Sequence, residues 1–232
     1  MRSSANPFED PLLTRQYDRW YLGPGRREAA LEKRLLTKLL AGFPSTRTVV
    51  EIGCGTGYFT RSFQRRGFQV VGLDLSAAML REAGPDLRTL MVQGDALDLP
   101  FADRAFDLAA LITSLEFLSD PLRAVSEAAR VSRQGILFGA LNRWSVLALR
   151  YRCAGKRLWR SAHFFSPPEL RRLIRSAVGR RVREISWRTT LWPLPGVEDL
   201  PLPWGGFIGL SVQLEDGSLA AGHGGERRQY GE

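Results

Sequence analysis

Two rhythms of apolar residues alternate along this chain. Short runs of β-branched and aliphatic residues are separated by stretches with helical spacing, and such alternation predicts a mainly parallel sheet with helices on both faces. Strands are expected near residues 48–52, 69–74, 88–93, 106–112 and 134–140, with two more at 183–191 and 207–214. A proline-rich loop, Pro193 to Pro203, separates those last two. Ahead of the sheet, Arg26 to Leu40 carries Ala30, Leu31, Leu35, Leu36, Leu39 and Leu40 at the spacing of an amphipathic helix. Residues 1–25, with Pro7, Pro11 and Pro24, are expected to be irregular.

Within the core, further helices are expected over Tyr58 to Arg66, after Ser76, from Pro121 and from Pro167. The third of these should bury Leu122, Val125, Ala128 and Val131; the last should bury Leu170, Leu173, Ile174 and Val178. Ser166 and Glu169 have capping-box spacing. Ser132-Arg133-Gln134-Gly135 reads as the turn before the fifth strand. The pattern divides the chain into a helical segment over 1–42, a main domain over 43–214 with a basic helical insertion at about 143–183, and a flexible tail over 215–232, which includes His223.

One stretch stands out chemically. Val49, Val50 and Ile52 run into Gly53-Cys54-Gly55-Thr56-Gly57 and then into a helix. A strand that breaks into glycines and opens a helix lets backbone N–H groups approach a ligand closely. The dinucleotide pattern G-x-G-x-x-G is not met, because Tyr58 stands where its third glycine belongs. About twenty residues on, Asp74 ends the second strand, where a carboxylate can accept from both hydroxyls of a ribose. Gly94-Asp95-Ala96 ends the third, with Asp95 set to accept from an adenine amino group.

Glu51-Ile52-Gly53-Cys54-Gly55-Thr56-Gly57, Asp74 and Gly94-Asp95-Ala96, in that order and spacing, resemble the class I S-adenosylmethionine-dependent methyltransferases. The resemblance runs from about Thr48 to Asn142 and is to the type-11 subgroup, similar to ubiquinone and menaquinone biosynthesis methyltransferases. It implies a Rossmann-like, doubly wound, mainly parallel seven-stranded sheet with an antiparallel edge strand. It also implies S-adenosyl-L-methionine as cofactor, held by Tyr17, Glu51, Gly53, Cys54, Gly55, Gly57, Asp74, Leu75, Met79, Gly94, Asp95, Ala96 and Ser114. Tyr17 belongs to a leading segment that packs over the cleft in that family; it can equally serve to anchor the segment to the core.

Composition refines this picture. Among 232 residues, 44% are hydrophobic and 25% charged, as in a soluble globular domain. No run approaches the ~18 apolar residues of a spanning helix, and the first ten residues lack a signal-peptide core, so a cytoplasmic protein is expected. Cys54 and Cys153, with His163 and His223, have no metal-ligand spacing, so no metal is expected. The net charge of +9 comes almost wholly from arginine and would suit an anionic or lipid-like small acceptor. An RNA-binding or RNA-modifying enzyme using the arginines of 150–183 is the less favoured alternative, and a non-catalytic cofactor-binding homologue another.

Methyl transfer needs little covalent help from a protein, so the catalytic residue is hardly legible. Glu116, in the loop after the fourth strand, could orient an acceptor or take a proton, but is more simply a solvated loop carboxylate. His163 suits a base near neutral pH, yet its neighbours Phe164 and Phe165 favour a structural turn.

Overall fold

In the computed structural model, residues 7–153, 157–194 and 196–215 are described, and the expected tail lies almost wholly outside them. The helices are α1 (Pro11–Leu22), α2 (Arg26–Leu40), α3 (Tyr58–Gln64), α4 (Ala77–Glu82), α5 (Pro121–Val131), α6 (Val146–Cys153), α7 (Arg157–Ser161) and α8 (Pro167–Val178). The strands are β1 (Thr48–Ile52), β2 (Gln69–Asp74), β3 (Met91–Gln93), β4 (Phe106–Ile112), β5 (Ser132–Leu141), β6 (Val182–Thr190), β7 (Asp199–Leu200) and β8 (Phe207–Leu214). They form one sheet in the order β3-β2-β1-β4-β5-β8-β6-β7. Pairings from β3 to β5 are parallel, and those involving β8, β6 and β7 antiparallel.

Alternation along each strand sends neighbouring side chains to opposite faces. Val49, Leu108, Ala110 and Leu137 pack with Leu35, Leu36 and Leu39 of α2 and Phe59 and Phe63 of α3. Val50, Ala109, Leu111, Ile136 and Phe138 pack instead with Val125 and Ala128 of α5 and Leu170 and Ile174 of α8. No helix among the described residues is long and apolar enough to cross a membrane.

Five local expectations need correction. The sheet has an eighth strand, because Asp199 and Leu200 of the proline-rich loop pair with Thr190 and Thr189. The segment expected to be irregular contains α1: the Asp10 side chain accepts from Leu12 N at 2.9 Å, and Pro11 occupies the first helical position, where it costs no hydrogen bond. Ser132 to Gly135 is not a turn but the start of β5, and Gly135 is needed there because a Cβ would lie 2.3 Å from Val212 O and 2.4 Å from the Phe43 ring. Leu122 is 46% exposed, and Ala124 and Ala129 complete the buried stripe of α5 in its place. The third strand is also shorter at its start, where Pro85–Leu90 forms a 3-10 helix.

Several arginines of the basic segment are engaged inside the fold. Arg143 donates to Phe164 O at 3.1 Å and pairs with Glu169, while Arg181 donates to Ala129 O at 3.0 Å.

Candidate active site

The chain leaves β1 through three glycines with positive φ, at 76°, 55° and 80° for Gly53, Gly55 and Gly57. Gly53 N and Cys54 N both donate to Leu73 O, at 2.7 and 3.0 Å, which folds the loop back over the end of β2. Asp74 completes the clasp. Its Oδ2 accepts from Gly55 N at 2.7 Å and its Oδ1 from Ser76 N at 2.8 Å. Burial raises its carboxyl above the usual range against these backbone bonds.

Beyond the carboxyl ends of the first four strands lies a cavity of about 480 Å³. Gly53 and Gly55 line it after β1, Leu73 to Leu75 at the end of β2, and Met79 from α4. Gly94 to Leu97 line it after β3, and Thr113, Ser114 and Glu116 to Ser119 after β4. Ser161 and His163 reach it from the far side, and Phe8 and Tyr17 from the N-terminal segment. That segment is fixed in place. Asp18 of α1 accepts from Thr56 Oγ1 and, at 3.1 Å, from Arg61 Nη2, while Ser76 Oγ donates to Phe8 O at 2.8 Å. A Cβ on Gly55 would meet nothing closer than Tyr17 Cε1 at 4.0 Å, so open space lies over the loop.

Glu116 is not the solvated carboxylate expected. The 3-10 turn Leu115–Phe117 rolls it inward until it is 1% exposed, with Oε1 accepting from Leu141 N at 2.6 Å. Its Oε2 is buried and has no partner, as is the Oγ of Ser114. Burial pushes the Glu116 carboxyl up to about 7 against the Leu141 hydrogen bond.

Residues 50–138 match the family model described as a methyltransferase domain. A solved structure from Thermotoga maritima, described as an S-adenosylmethionine-dependent methyltransferase and possible histamine N-methyltransferase, superposes with a TM-score of 0.73. It is 28% identical, and the likeness covers 88% of this chain and 96% of that one. The ubiquinone biosynthesis O-methyltransferase of Nitrosomonas europaea is 29% identical over 75% of this chain and 83% of its own. The demethylmenaquinone methyltransferase of Thermobifida fusca is 39% identical over a shorter stretch, 39% of this chain and 41% of its own. The chain carries a methyltransferase domain and has the fold of the class I S-adenosylmethionine-dependent methyltransferases.

In this methyltransferase three of the residues expected to touch cofactor stand behind the cavity wall. Glu51 is buried and accepts from Thr60 Oγ1, its carboxyl pushed up to about 8 by burial and by the charge of Asp74. Cys54 packs toward Gly72, where a Cβ would lie 2.9 Å from Sγ. Gly57 faces Met91 and Leu87, so a Cβ there would strike Met91 Cε at 2.5 Å. These three shape the loop, whereas Tyr17, Gly53, Gly55, Asp74, Leu75, Met79, Gly94, Asp95, Ala96 and Ser114 all line the cavity. Asp95 Oδ1 accepts from Leu97 N at 2.9 Å. Burial pushes the phenol of Tyr17 up to about 12, so it stays neutral.

His163 also lines the cavity, with its side chain 55% exposed and Nε2 2.8 Å from Glu169 Oε1. Its backbone N–H donates to Glu116 O at 2.7 Å, which ties the start of α8 to the loop after β4. No group of three His, Cys, Asp or Glu among the described residues could hold a metal.

Three features escaped the sequence reading. Thr113 lines the cavity with φ 48°, unusual for a β-branched residue, and donates its N–H to Gly139 O at 2.7 Å. Phe8 and Phe117 meet edge to face at 4.9 Å over the cleft. Glu32 of α2 is 4% exposed, and burial with the charges of Glu28 and Glu116 pushes it up to about 8.

Proposed function

We propose that this cleft binds S-adenosyl-L-methionine and that the enzyme transfers its methyl group to a small-molecule acceptor. The observation that carries the reading is the clasp of Asp74 on the glycine loop, with open space over Gly55 and a carboxylate at the next strand end. In this reading Asp74 accepts from the ribose hydroxyls and Asp95 from the adenine amino group. Leu75, Met79 and Ala96 flank the base. Gly53, Gly55, Tyr17 and Ser114 border the methionine end.

When bound, the sulfonium supplies an electrophilic methyl group. The protein's part is to hold the acceptor in line with it and to keep water out, a proximity effect worth up to ~7–11 kcal/mol. Phe8, Tyr17 and Phe117 supply the apolar cover. Glu116 and His163, where the cavity passes beyond β4, are the groups able to move a proton at the acceptor.

Protein incubated with methyl-labelled S-adenosylmethionine and a deproteinised small-molecule extract is expected to move label into an extractable product. S-adenosylhomocysteine should form in equal amount. Label recovered in RNA, in a parallel reaction supplied with total RNA, and none in the small-molecule product would overturn the small-molecule reading, and absence of any turnover in either would overturn the catalytic one.

A further inference from the structure

The charge inside the cleft runs opposite to the charge of the whole chain. Among the described residues, the buried side-chain polar atoms without a partner are Glu116 Oε2, Ser114 Oγ and Glu28 Oε2. Glu32 of α2 feels the charge of both Glu28 and Glu116, and of these three carboxylates it is Glu116 that lines the cavity. No ion pair among the described residues reaches any of the three. Lys33 acts on Glu32 in the opposite sense, but its Nζ is turned to the face of Tyr58, 4.3 Å from the ring centroid. Burying carboxylates without a counter-charge is costly, and such a cluster is relieved by protonation or by a cation.

Topology separates this cluster from the proposed cofactor end. The cavity follows the strand order from Asp95 beyond β3, past Asp74 and Gly53, to Glu116 beyond β4. Glu116 is braced on the β5 side by Leu141 N, and His163 stands on its other flank. The adjoining walls are aromatic: Tyr17 and Phe117 line the cavity, with Tyr21 centred 5.6 Å from Tyr17 and Trp159 6.2 Å from Phe117. A carboxylate with a free oxygen in a cavity that aromatic rings also line suits an ammonium ion, since rings attract a cation within about 6 Å of their centroids. An anionic acceptor, which the net charge of +9 would draw, finds no lysine or arginine among the described residues that line the cavity.

We infer that the acceptor is a primary or secondary amine, bound as its ammonium ion with an N–H donated to Glu116 Oε2. This rests on the methyltransferase reading above. Glu116 then takes that proton, leaving the nitrogen lone pair free. The N–C bond forms as the C–S bond of the donor breaks, and the C–S electron pair stays on sulfur, which becomes a neutral thioether. The positive charge passes to the methylated nitrogen. The proton on Glu116 leaves to solvent past the exposed His163. Charge and atoms balance with one proton released per turnover.

The test is calorimetry on the full chain saturated with S-adenosylhomocysteine, using matched probes that differ only in their polar end. Suitable sets are phenethylamine, 2-phenylethanol and 3-phenylpropionate, with tryptamine and octylamine and their alcohol and carboxylate counterparts. At least one amine is expected to bind roughly tenfold or more tighter than both counterparts, the scale of a charge-assisted hydrogen bond. Glu116→Gln should erase that preference, with circular dichroism melting used to check its fold. Alcohols or carboxylates binding as well as the amines would overturn the inference, as would no amine binding in any set. Glu116→Gln that weakened S-adenosylhomocysteine but spared the amine preference would also overturn it, assigning Glu116 to the cofactor. Failure of S-adenosylhomocysteine itself to bind the wild-type chain would instead remove the underlying reading, so the two failures are distinct.

Discussion

Replacing Asp74 by alanine is expected to weaken binding of S-adenosylmethionine and S-adenosylhomocysteine by roughly 10- to 150-fold. A lost charge-assisted hydrogen bond costs about 1.5–3 kcal/mol, which is that range of affinity. Two further losses push the effect to the upper end. Without the carboxylate, Gly55 N loses its partner and the glycine loop is released from β2; Ser76 N, at the cap of α4, loses its partner too. The sheet should still form, because β2 is held by its pairing with β1 and β3. Titration calorimetry on Asp74→Ala and Asp74→Asn measures this directly. Wild-type affinity in the alanine variant would mean that the end of β2 does not face the cofactor.

Acid should stabilise this protein. Glu32 and Glu51 are pushed up to about 8 and Glu116 to about 7, each chiefly by burial, from an ordinary value of 4.5. Between pH 4.5 and pH 7 the unfolded chain has released these protons while the folded chain keeps them. The unfolded state therefore binds fewer protons, and stability falls as pH rises through that window. Each retained proton is worth about 1.4 kcal/mol per pH unit, or roughly 3–6 °C of melting temperature in a chain of this size. The carboxylates with lowered values, Asp107, Glu127, Glu169 and Asp199, act in the opposite sense, but only on descent below the ordinary carboxylate range. The ligand-free melting temperature should thus be highest near pH 5 and decline toward pH 8, and Glu51→Gln should flatten the decline. A melting temperature that rises from pH 5 to pH 8 would contradict the burial of these three groups.

The sheet was legible because period-two runs such as Val49, Val50 and Ile52 send alternate residues to two cores, and no other element competes for that pattern. β7 was not, since two residues carry no period and Asp199 and Leu200 pair only because the chain returns past β6. α1 was hidden by its prolines, which read as breakers although Pro11 sits where a helix begins. In the cleft, the glycines, Asp74 and Asp95 were visible through spacing. The burial of Glu116 was not, because a carboxylate in a short loop gives no sign of which way the loop rolls. Glu32 was half legible: three and four residues before Leu35 and Leu36, it falls on the apolar stripe of α2, where a carboxylate is out of place.

The cofactor assignment is the central claim, and calorimetry of the wild-type chain against S-adenosylmethionine, S-adenosylhomocysteine and NAD tests it most directly. Tyr58, in the place of a dinucleotide glycine, opens α3 with its ring stacked on Tyr21 at 3.9 Å, a bulk that the pyrophosphate turn of a dinucleotide site does not carry. Saturable one-to-one binding of both sulfur ligands and no heat with NAD is the expected result. Saturable NAD binding with no response to S-adenosylmethionine would contradict it.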